Sequence, residues 1–405
     1  MAKRILIYTN HYYPEQFKIN ELVDWLSEEN IDIRVITGLP NYPRGKIYKN
    51  YDVLSNFFRS NPKINLTINR MFLIPRGNAS YFMLLLNYVS FFLSCLTFTL
   101  FLALFKKKYD TILVHHTSPF FIAIHPIIYG FFHRTKKIIW ELDLWPETLR
   151  DLKLVKSNHV FKIIENLIVK VYSYYNLILV GSLSFKKIVE NRFKKKIIYF
   201  PNWANNEIEN PNIKNIDINL PKDSLKIMYT GNIGTVQNFE NLLITMEKLR
   251  SEKVFWIFIG DGRFKIDFQK LVNKKNLDNN SLFINNVSEE EIPSYCNYAD
   301  SMYLSLTDKG VFKNTVPAKL QTYLALGKPI LAVISGEAAT IIKNADCGYV
   351  NEDNDFNKFS DLVLKMSKLT KKDRLKMAQN SLNYYKNNFA SSLRKNEIIN
   401  YVDSL

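Results

Sequence analysis

The run VFKNTVPAKLQTYLALGKPILAVISGEAATIIKNADCG, residues 311–348, decides the fold that we predict for this chain. It predicts a loop, a short helix with Pro317 just inside its N-terminus and Gly327 at its end, a Gly-Lys-Pro turn, an apolar strand and a second helix. Helical spacing turns Lys319 and Thr322 together away from the core. Exposed amides at a helix start, with a lysine one turn in, suit an anion such as a diphosphate. An ordinary αβα segment with a solvated lysine is the alternative.

A family resemblance lies in the same stretch. The run PAKLQTYLALGKPIL, followed by GEAATII and CGYV, resembles the nucleotide-sugar-binding segment of family-4 retaining glycosyltransferases. The resemblance is greatest to the branch that builds bacterial surface polysaccharides, which includes WbuB-like fucosamine transferases. In the broad family this segment carries a Glu-x7-Glu pair that contacts the donor sugar and the ribose. This chain has Asn314 and Thr322 at the matching positions, so both carboxylates are absent.

Composition limits the classes of partner. The chain has 405 residues, of which 47% are hydrophobic, and this suits two globular domains. A formal charge of +16 and a pI near 9.4 favour an anionic partner: nucleic acid, a nucleotide diphosphate or an acidic membrane surface. Nucleic acid is the weakest of the three, because no arginine-rich arm or zinc-finger pattern is present. Three dispersed cysteines predict neither a disulfide framework nor a cysteine-rich metal site, and the N-terminus lacks a signal-peptide pattern; a reducing cytosol fits.

The first 37 residues predict a β-loop-α-β unit, with strands at Arg4–Tyr8 and 31–37. Such units open a parallel doubly wound sheet, in which ligands bind at the carboxyl ends of the strands. The loop 10–17 occupies that edge, so Glu15 and Asn20 become candidate acceptor residues. The loop also resembles the family's N-terminal Pro-Glu segment, which lies on the acceptor side. A solvated loop carboxylate is the alternative for Glu15.

Residues 82–105 form an apolar run, FMLLLNYVSFFLSCLTFTLFLALF, that is followed by three lysines. The run is long enough to cross a bilayer as a helix, but it lies between two predicted strands of one sheet, near 64–74 and at 110–115. We therefore expect a helix embedded in one leaflet or lying at the interface, with a buried core helix and a true span as alternatives. The run Lys106–Lys108 would then meet anionic headgroups on the cytoplasmic face. The loop 38–60 shows no regular period, which is typical of a functional or mobile loop.

Two further predicted strand ends carry polar side chains. The strands 111–115 and 137–140 end in HHTSP and ELDLWPE. These ends predict one crevice that contains His115, His116, Glu141, Asp143 and Glu147. The D-L-W-P-E-T run also resembles a segment of the same polysaccharide-assembly branch that faces the donor–acceptor gap. A metal site is an alternative, although adjacent histidines on a strand point to opposite faces and cannot both bind one ion without a bulge.

The second half begins after the Asn- and Pro-rich linker 201–223. A strand at Leu225–Thr230 leads into GNIGTVQ, residues 231–237, and glycines at such a turn let amides approach a phosphate. A tight turn alone is the alternative. The family normally has an arginine after the first glycine and a lysine further on, where this chain has Asn232 and Gln237. The positive charge that stabilises the leaving diphosphate must therefore come from Lys319, from Lys313 or from Arg263.

The predicted donor site can be given in full. It comprises Gly231, Asn232, Gly234, Gln237, Gly260, Gly262, Arg263, Val287, Lys313, Asn314, Pro317, Lys319, Leu320, Gln321 and Thr322. The predicted acceptor site comprises Glu15, Asn20, His115, His116 and Glu147. Lys319 and the amides of 231–237 would stabilise the leaving group, and Asp143 or Glu15 would bind or deprotonate the acceptor hydroxyl. No metal and no other cofactor is expected.

The resemblance implies the GT-B fold: two Rossmann-like, doubly wound α/β domains facing a cleft. Residues 1–203 would bind the acceptor, residues 204–383 the nucleotide sugar, and the helix 384–405 would cross back to the first domain. The implied activity is retaining transfer of a hexose-type sugar from a UDP-sugar to a polyprenyl-diphosphate-linked acceptor at the inner membrane face. The alternatives are a nucleotide-sugar epimerase of the same fold and a non-catalytic membrane partner of a polysaccharide assembly complex.

Overall fold

The computed structural model describes residues 3–51, 65–106, 108–151, 153–307 and 310–405. The chain forms two compact α/β units: Met1–Pro201 together with Lys395–Leu405, and Asn202–Arg394. Each unit is built around one parallel sheet. Most of the strands are apolar runs that are buried along most of their length, as expected where helices cover both faces of a sheet.

The first unit contains a seven-stranded sheet of order β3-β2-β1-β4-β5-β6-β7. Its strands are β1 (Arg4–Thr9), β2 (Asp32–Gly38), β3 (Leu66–Met71), β4 (Thr111–His116), β5 (Lys136–Glu141), β6 (Leu177–Val180) and β7 (Ile197–Tyr199). Its helices are α1 (Lys18–Glu28), α2 (Tyr81–Phe105), α3 (His125–Phe132), α4 (Glu147–Asp151), α5 (Asn158–Ser173) and α6 (Leu183–Arg192). The order reverses between β1 and β4, which is the doubly wound pattern.

The second unit contains a six-stranded sheet of order β10-β9-β8-β11-β12-β13. Its strands are β8 (Leu225–Thr230), β9 (Val254–Ile259), β10 (Ser281–Ile284), β11 (Ser301–Ser305), β12 (Ile330–Val333) and β13 (Gly348–Asn351). The helices are α7 (Asn206–Glu209), α8 (Phe239–Lys248), α9 (Lys265–Lys274), α10 (Ile292–Cys296), α11 (Ala318–Ala325), α12 (Glu337–Asn344), α13 (Phe356–Ser367), α14 (Lys371–Asn388) and α15 (Ser391–Ser404), whose last residues belong to the first unit.

The stretch 311–348 forms the predicted elements with one shift at its start. Pro317 occupies the N-cap of α11 in extended conformation and does not lie inside the helix. Gly327 follows the helix with a φ of +59°, the left-handed conformation that ends helices. Another predicted start also moves: the last helix begins at Ser391 instead of 384, and residues 384–388 belong to α14.

Helix α2 is apolar on both sides, and most of its polar side chains lie on or beside the side that packs against the protein. Asn87 Nδ2 donates to Ile74 O (2.6 Å), and Ser94 Oγ donates to Phe72 O (2.6 Å). The outward face exposes large apolar side chains, among them Phe82, Leu85, Val89, Leu93, Leu104 and Phe105. In the described part of the chain, α2 is the one helix long and apolar enough to cross a bilayer, and 33% of its most apolar window is buried. The alternative of a buried core helix is therefore wrong.

A true span is also inconsistent with the sheet. The helix α2 connects β3 to β4, and both strands belong to one hydrogen-bonded parallel sheet. A crossing would place neighbouring parts of that sheet on opposite sides of a membrane. Of the loop predicted at 38–60, Gly38 is the last residue of β2, and residues 39–51 have turns but no helix or strand; the remainder of that prediction lies outside the described residues.

Candidate active site

Two glycine turns pack against each other at the carboxyl edge of the second sheet. Gly231 follows β8 with a φ of +108°, and Gly260 follows β9 with a φ of +137°. A Cβ atom on Gly260 would lie 2.0 Å from the carbonyl oxygen of Gly231, and one on Gly262 would lie 2.3 Å from that of Ile233. Both turns therefore require glycine for close backbone approach.

The amides of the first turn are mostly used within the protein. Gly231 N donates to Ile259 O (2.8 Å), and Ile233 N donates to Asp261 O (2.8 Å). Gly234 N donates to the side-chain oxygen of Gln237 (2.9 Å). The prediction that the amides of 231–237 cradle a phosphate is therefore wrong for these three groups, because each already has an acceptor. Gln237 braces the turn and does not substitute for a cation.

Lys319 is the cation next to this turn. It extends from the first turn of α11, its ammonium donates to the hydroxyl of Tyr229, and it lies 4.2 Å from the centroid of that ring. Its Cε would lie 2.8 Å from a Cβ on Gly231. Burial lowers the pKa of Lys319 from 10.5 to about 8. Within the described residues no carboxylate pairs with it.

Tyr229 holds the lysine through a second hydrogen bond. The phenol donates to Asn232 O (2.5 Å), so its oxygen is oriented to accept from the ammonium. Burial, followed by the neighbouring Tyr323 and Tyr303, raises the pKa of Tyr229 well above its ordinary value. The phenol therefore stays neutral, and the positive charge of the pair remains on Lys319.

A cavity of about 230 Å³ lies beside Lys319, within the second unit. It is smaller than typical sites for drug-sized ligands, roughly 300–1,000 Å³, so it can hold part of a nucleotide sugar. The cavity is lined by Asn205, Ile208, Thr230, Gly231, Ile259, Asn286, Val287, Glu289, Ile292, Lys319 and Thr322. Of the predicted donor residues, the structure brings together Gly231, Val287, Lys319 and Thr322.

The other predicted donor residues lie elsewhere. Leu320 and Gln321 are buried, with 0% and 1% exposure, because they face the core side of α11. Asn232 and Arg263 are exposed and do not line the cavity. Four more predicted residues, Gly234, Gly262, Pro317 and Gln237, support the turns and the helix cap. Lys313 and Asn314 lie on a 3-10 turn whose backbone contacts Gly336.

Sequence reasoning missed Tyr229 and Lys265. Lys265 is buried in α9 and donates to Gly260 O (2.8 Å) and Asn285 Oδ1 (2.9 Å), which ties the ends of β9 and β10 together. Tyr229 could have been found, because it is the last aromatic residue on the core face of β8 before the glycine turn. Lys265 could not have been found in this way, because a lysine in an amphipathic helix is ordinarily exposed and its sequence position does not indicate burial.

In the first unit, Glu15 has a positioning role. Its Oε1 accepts from the amides of Asn41 (2.7 Å) and Tyr42 (2.6 Å), and its Oε2 accepts from His11 Nδ1 (2.6 Å). The residue is 3% exposed. The predictions of a solvated carboxylate and of a catalytic base are both wrong for this geometry, since three donors already occupy the carboxylate. Asn20, also predicted for the acceptor, bonds Glu15 O and the amide of Tyr13 to close the same loop.

The two histidines of β4 point to different partners, as their alternation on a strand predicts. His115 Nδ1 contacts Thr9 Oγ1 (2.9 Å), and burial, assisted by His11 and His116, lowers its pKa to about 3. His116 Nδ1 donates to Glu141 (2.5 Å), which also accepts from Tyr172 (2.8 Å). His116 and Glu141 are both 0% exposed. Their predicted place in an acceptor crevice is therefore wrong; they brace the core.

The carboxylates of Asp143 and Glu147 also have different partners. Asp143 is half-buried at the carboxyl end of β5 and accepts from the amide of Ser118 (2.7 Å). Glu147 pairs with Arg192, which also contacts Glu165 (2.8 Å), so its predicted acceptor role is wrong. Asp143 thus remains the candidate carboxylate of this edge. In the described residues no group of three His, Cys, Asp or Glu side chains is placed to hold a metal ion.

Comparisons with known proteins agree with this architecture. Residues 212–384 match the family model described as Glycosyl transferases group 1. The putative colanic acid biosynthesis glycosyl transferase WcaI of Escherichia coli (strain K12) is 25% identical over 352 residues, covering 83% of this chain and 84% of WcaI. A sucrose-phosphate synthase from Thermosynechococcus elongatus superposes with a TM-score of 0.74 at 12% identity, covering 100% of this chain and 99% of that one. Anabaena HepE in complex with UDP superposes with a TM-score of 0.66 at 12% identity, covering 100% of both chains.

These similarities support two statements. The chain has the two-domain GT-B fold, so the predicted fold class is confirmed. Residues 212–384 of its second unit are similar to glycosyl transferases of group 1, which supports the glycosyltransferase class.

Proposed function

We propose that the protein is a retaining hexosyltransferase that uses a UDP-sugar donor and acts in bacterial surface polysaccharide assembly. The observation that carries this proposal is Lys319, a half-buried cation beside a glycine turn and a cavity. The group 1 domain and the similarity to WcaI, named for colanic acid biosynthesis, support the reaction class and the pathway. The UDP in the HepE complex supports the choice of nucleotide. We place the chain in the WbuB-like branch on the motifs of 317–350.

Departure of the sugar leaves negative charge on the diphosphate. An ammonium held in place before the reaction stabilises that charge without reorganisation, and its effect is larger where water is excluded. The Tyr229 hydroxyl and ring hold Lys319 in this position. Asp143, at the carboxyl edge of the first sheet, is the proposed group that binds or deprotonates the acceptor hydroxyl. The reaction is proposed to need no metal ion, since Lys319 supplies the counter-charge.

The acceptor is proposed to be lipid-linked and presented at the inner face of the cell membrane. Helix α2 exposes an apolar face, and its exposed polar residue, Thr97, is bonded within the helix to Ser94 O (2.9 Å). Exposed apolar patches of this kind mark membrane or protein interaction sites. Lys106 and Lys108 at the end of α2 would meet anionic headgroups. This arrangement favours a helix lying in one leaflet.

Calorimetric titration with UDP in the presence of EDTA tests the proposed donor site. We expect binding by the native protein, and at least tenfold weaker binding by Lys319→Met, because the diphosphate loses its nearest cation. The matched control is Arg263→Met, an exposed cation of the neighbouring turn that does not line the cavity. Equal affinity of native protein and Lys319→Met would contradict the site. Absence of UDP binding by native protein, with or without Mg²⁺, would favour the non-catalytic partner.

A further inference from the structure

Two loops at the carboxyl edge of the first sheet are joined into one surface. Residues 39–48 follow β2 and residues 72–80 follow β3. Gly77 N donates to Gly45 O (2.9 Å), and the amide of Arg76 contacts Asn41 Oδ1 (3.4 Å). A Cβ atom on Gly45, whose φ is +72°, would lie 2.0 Å from Gly77 O. The two loops, which we term the basic loop pair, are therefore in direct backbone contact.

The basic loop pair carries positive charge without acidic residues of its own. Arg44 and Lys46 flank Gly45, and Arg76 precedes Gly77, so three cationic residues adjoin the hydrogen bond between the two glycines. Arg44 and Lys46 are exposed. The sequences 39–48 and 72–80 contain no Asp or Glu. Among the described residues, none of the three cations forms an ion pair with a carboxylate.

Neighbouring residues hold the surface in place. Arg76 donates to His11 Nε2 (3.0 Å), and its guanidinium lies 5.4 Å from the ring centroid of Tyr42. Because arginine only donates, the His11 proton is on Nδ1, where it bonds Glu15. The Nε atom of Arg76 is buried and has no hydrogen-bond partner. The Glu15 carboxylate is buried, is hydrogen-bonded by His11 and two amides, and forms no ion pair with Arg44 or Lys46 among the described residues.

The same surface borders the apolar face of α2. A Cβ on Gly77 would lie 3.4 Å from the Cε of Met83, which is in the first turn of that helix. Tyr81, Phe82 and Leu85 in this part of the helix are 72%, 67% and 55% exposed. A cluster of cations that adjoins an outward apolar helix is complementary to a ligand with a multiply charged anionic head and a long apolar chain.

We propose that the basic loop pair binds the diphosphate of a lipid-linked sugar acceptor, with the lipid chain lying along the outward face of α2. A diphosphate is favoured over the headgroup of a single phospholipid, because three cations adjoin one hydrogen bond and arginine forms bidentate contacts with phosphate oxygens. The inference rests on the proposed lipid-linked acceptor and identifies the residues of this chain that recognise it.

The experiment compares two kinds of vesicle at equal surface charge. Phosphatidylcholine vesicles contain either farnesyl diphosphate or phosphatidylglycerol, and the protein carries R44Q/K46Q or no substitution. We expect the double variant to bind farnesyl diphosphate vesicles at least tenfold more weakly and phosphatidylglycerol vesicles less than threefold more weakly. The matched control is K194Q/K196Q, a pair of exposed lysines with the same spacing in the same unit, which should bind both vesicles like the native protein.

Equal weakening on the two vesicles would overturn the proposal, because the loops would then sense only surface charge. Unchanged binding of farnesyl diphosphate by R44Q/K46Q would overturn it as well. Thermal unfolding of each variant shows whether the fold is retained, and the exposure of both side chains makes loss of folding unexpected. Titration of the native protein with UDP separates the two proposals, since its failure would refute the donor site and leave the lipid site standing.

Discussion

The charge of Lys319 depends on pH in the range where enzymes are usually assayed. Its pKa is lowered to about 8 by burial, whereas a bound diphosphate favours the charged amine. Binding of UDP should therefore take up ~0.5 proton at pH 8 and nearly one at pH 9, and the affinity should fall as the pH rises above about 8. Calorimetry in two buffers of different ionisation enthalpy measures this uptake.

The control for proton uptake is Lys319→Met, which should bind weakly and without a buffer-dependent enthalpy. The pH dependence of stability has the opposite sign to the pH dependence of UDP binding. Between about 8 and 10.5 the unfolded chain holds more protons at this residue, so its contribution to the free energy of unfolding rises with pH. Native protein that binds UDP with no proton uptake at pH 9 would show that this amine is not the diphosphate ligand.

Glu15 offers a test of positioning against catalysis. Replacing it with Ala leaves the amides of Asn41 and Tyr42 and the His11 proton buried without an acceptor. Each unsatisfied donor costs about 1–3 kcal/mol, so we expect Glu15→Ala to lower the free energy of unfolding by at least ~3 kcal/mol. Urea denaturation checks this value. A variant of native stability that has lost turnover would restore the catalytic assignment.

The site residues differ in how far the sequence could predict them. Lys319 and Thr322 were predicted on one side of α11 by helical spacing, and both line the cavity. The phosphate-binding amides of 231–237 were predicted wrongly, because the acceptors that occupy them belong to the neighbouring turn and to the side chain of Gln237. A local sequence pattern indicates that a turn is tight, but it does not show which of its amides are already bonded.

At the scale of elements, buried parallel strands were the easiest features to predict. The bounds of β8 agree with the predicted ones at every residue, because its apolar run ends abruptly at Gly231. Helix starts were less well placed: Pro317 is the N-cap of α11 and not its first residue, and the last helix begins at Ser391 instead of 384. For α2 the length and hydropathy could be predicted, and only the packing shows which of its apolar residues face outward.

The orientation of α2 leads to a prediction for membrane binding. Leu85→Gln with Leu93→Gln places two polar groups on the outward face, where each buried leucine would contribute about 1.5–3 kcal/mol to insertion. We expect vesicle sedimentation to weaken by at least tenfold and solubility in buffer to rise. The control is Leu375→Gln, which changes a leucine of similar exposure on α14, 59% against 54% for Leu93. Equal binding by both variants would indicate that α2 does not enter the lipid.

At the scale of the whole molecule, net charge and the apolar helix act on membrane binding in different ways. A formal charge of +16 attracts an anionic surface over distances that salt shortens, from about 10 Å at 0.1 M to about 3 Å at 1 M. Insertion of apolar side chains into lipid is not screened by salt.

Binding to phosphatidylglycerol vesicles should therefore fall at least tenfold between low and high salt, and then level off at a value that phosphatidylcholine vesicles also give. The Leu85→Gln, Leu93→Gln variant should show the fall without the plateau, because it keeps the charge and loses the apolar contact. Binding that vanishes at high salt in the native protein would mean that attraction of charge alone brings this molecule to the membrane.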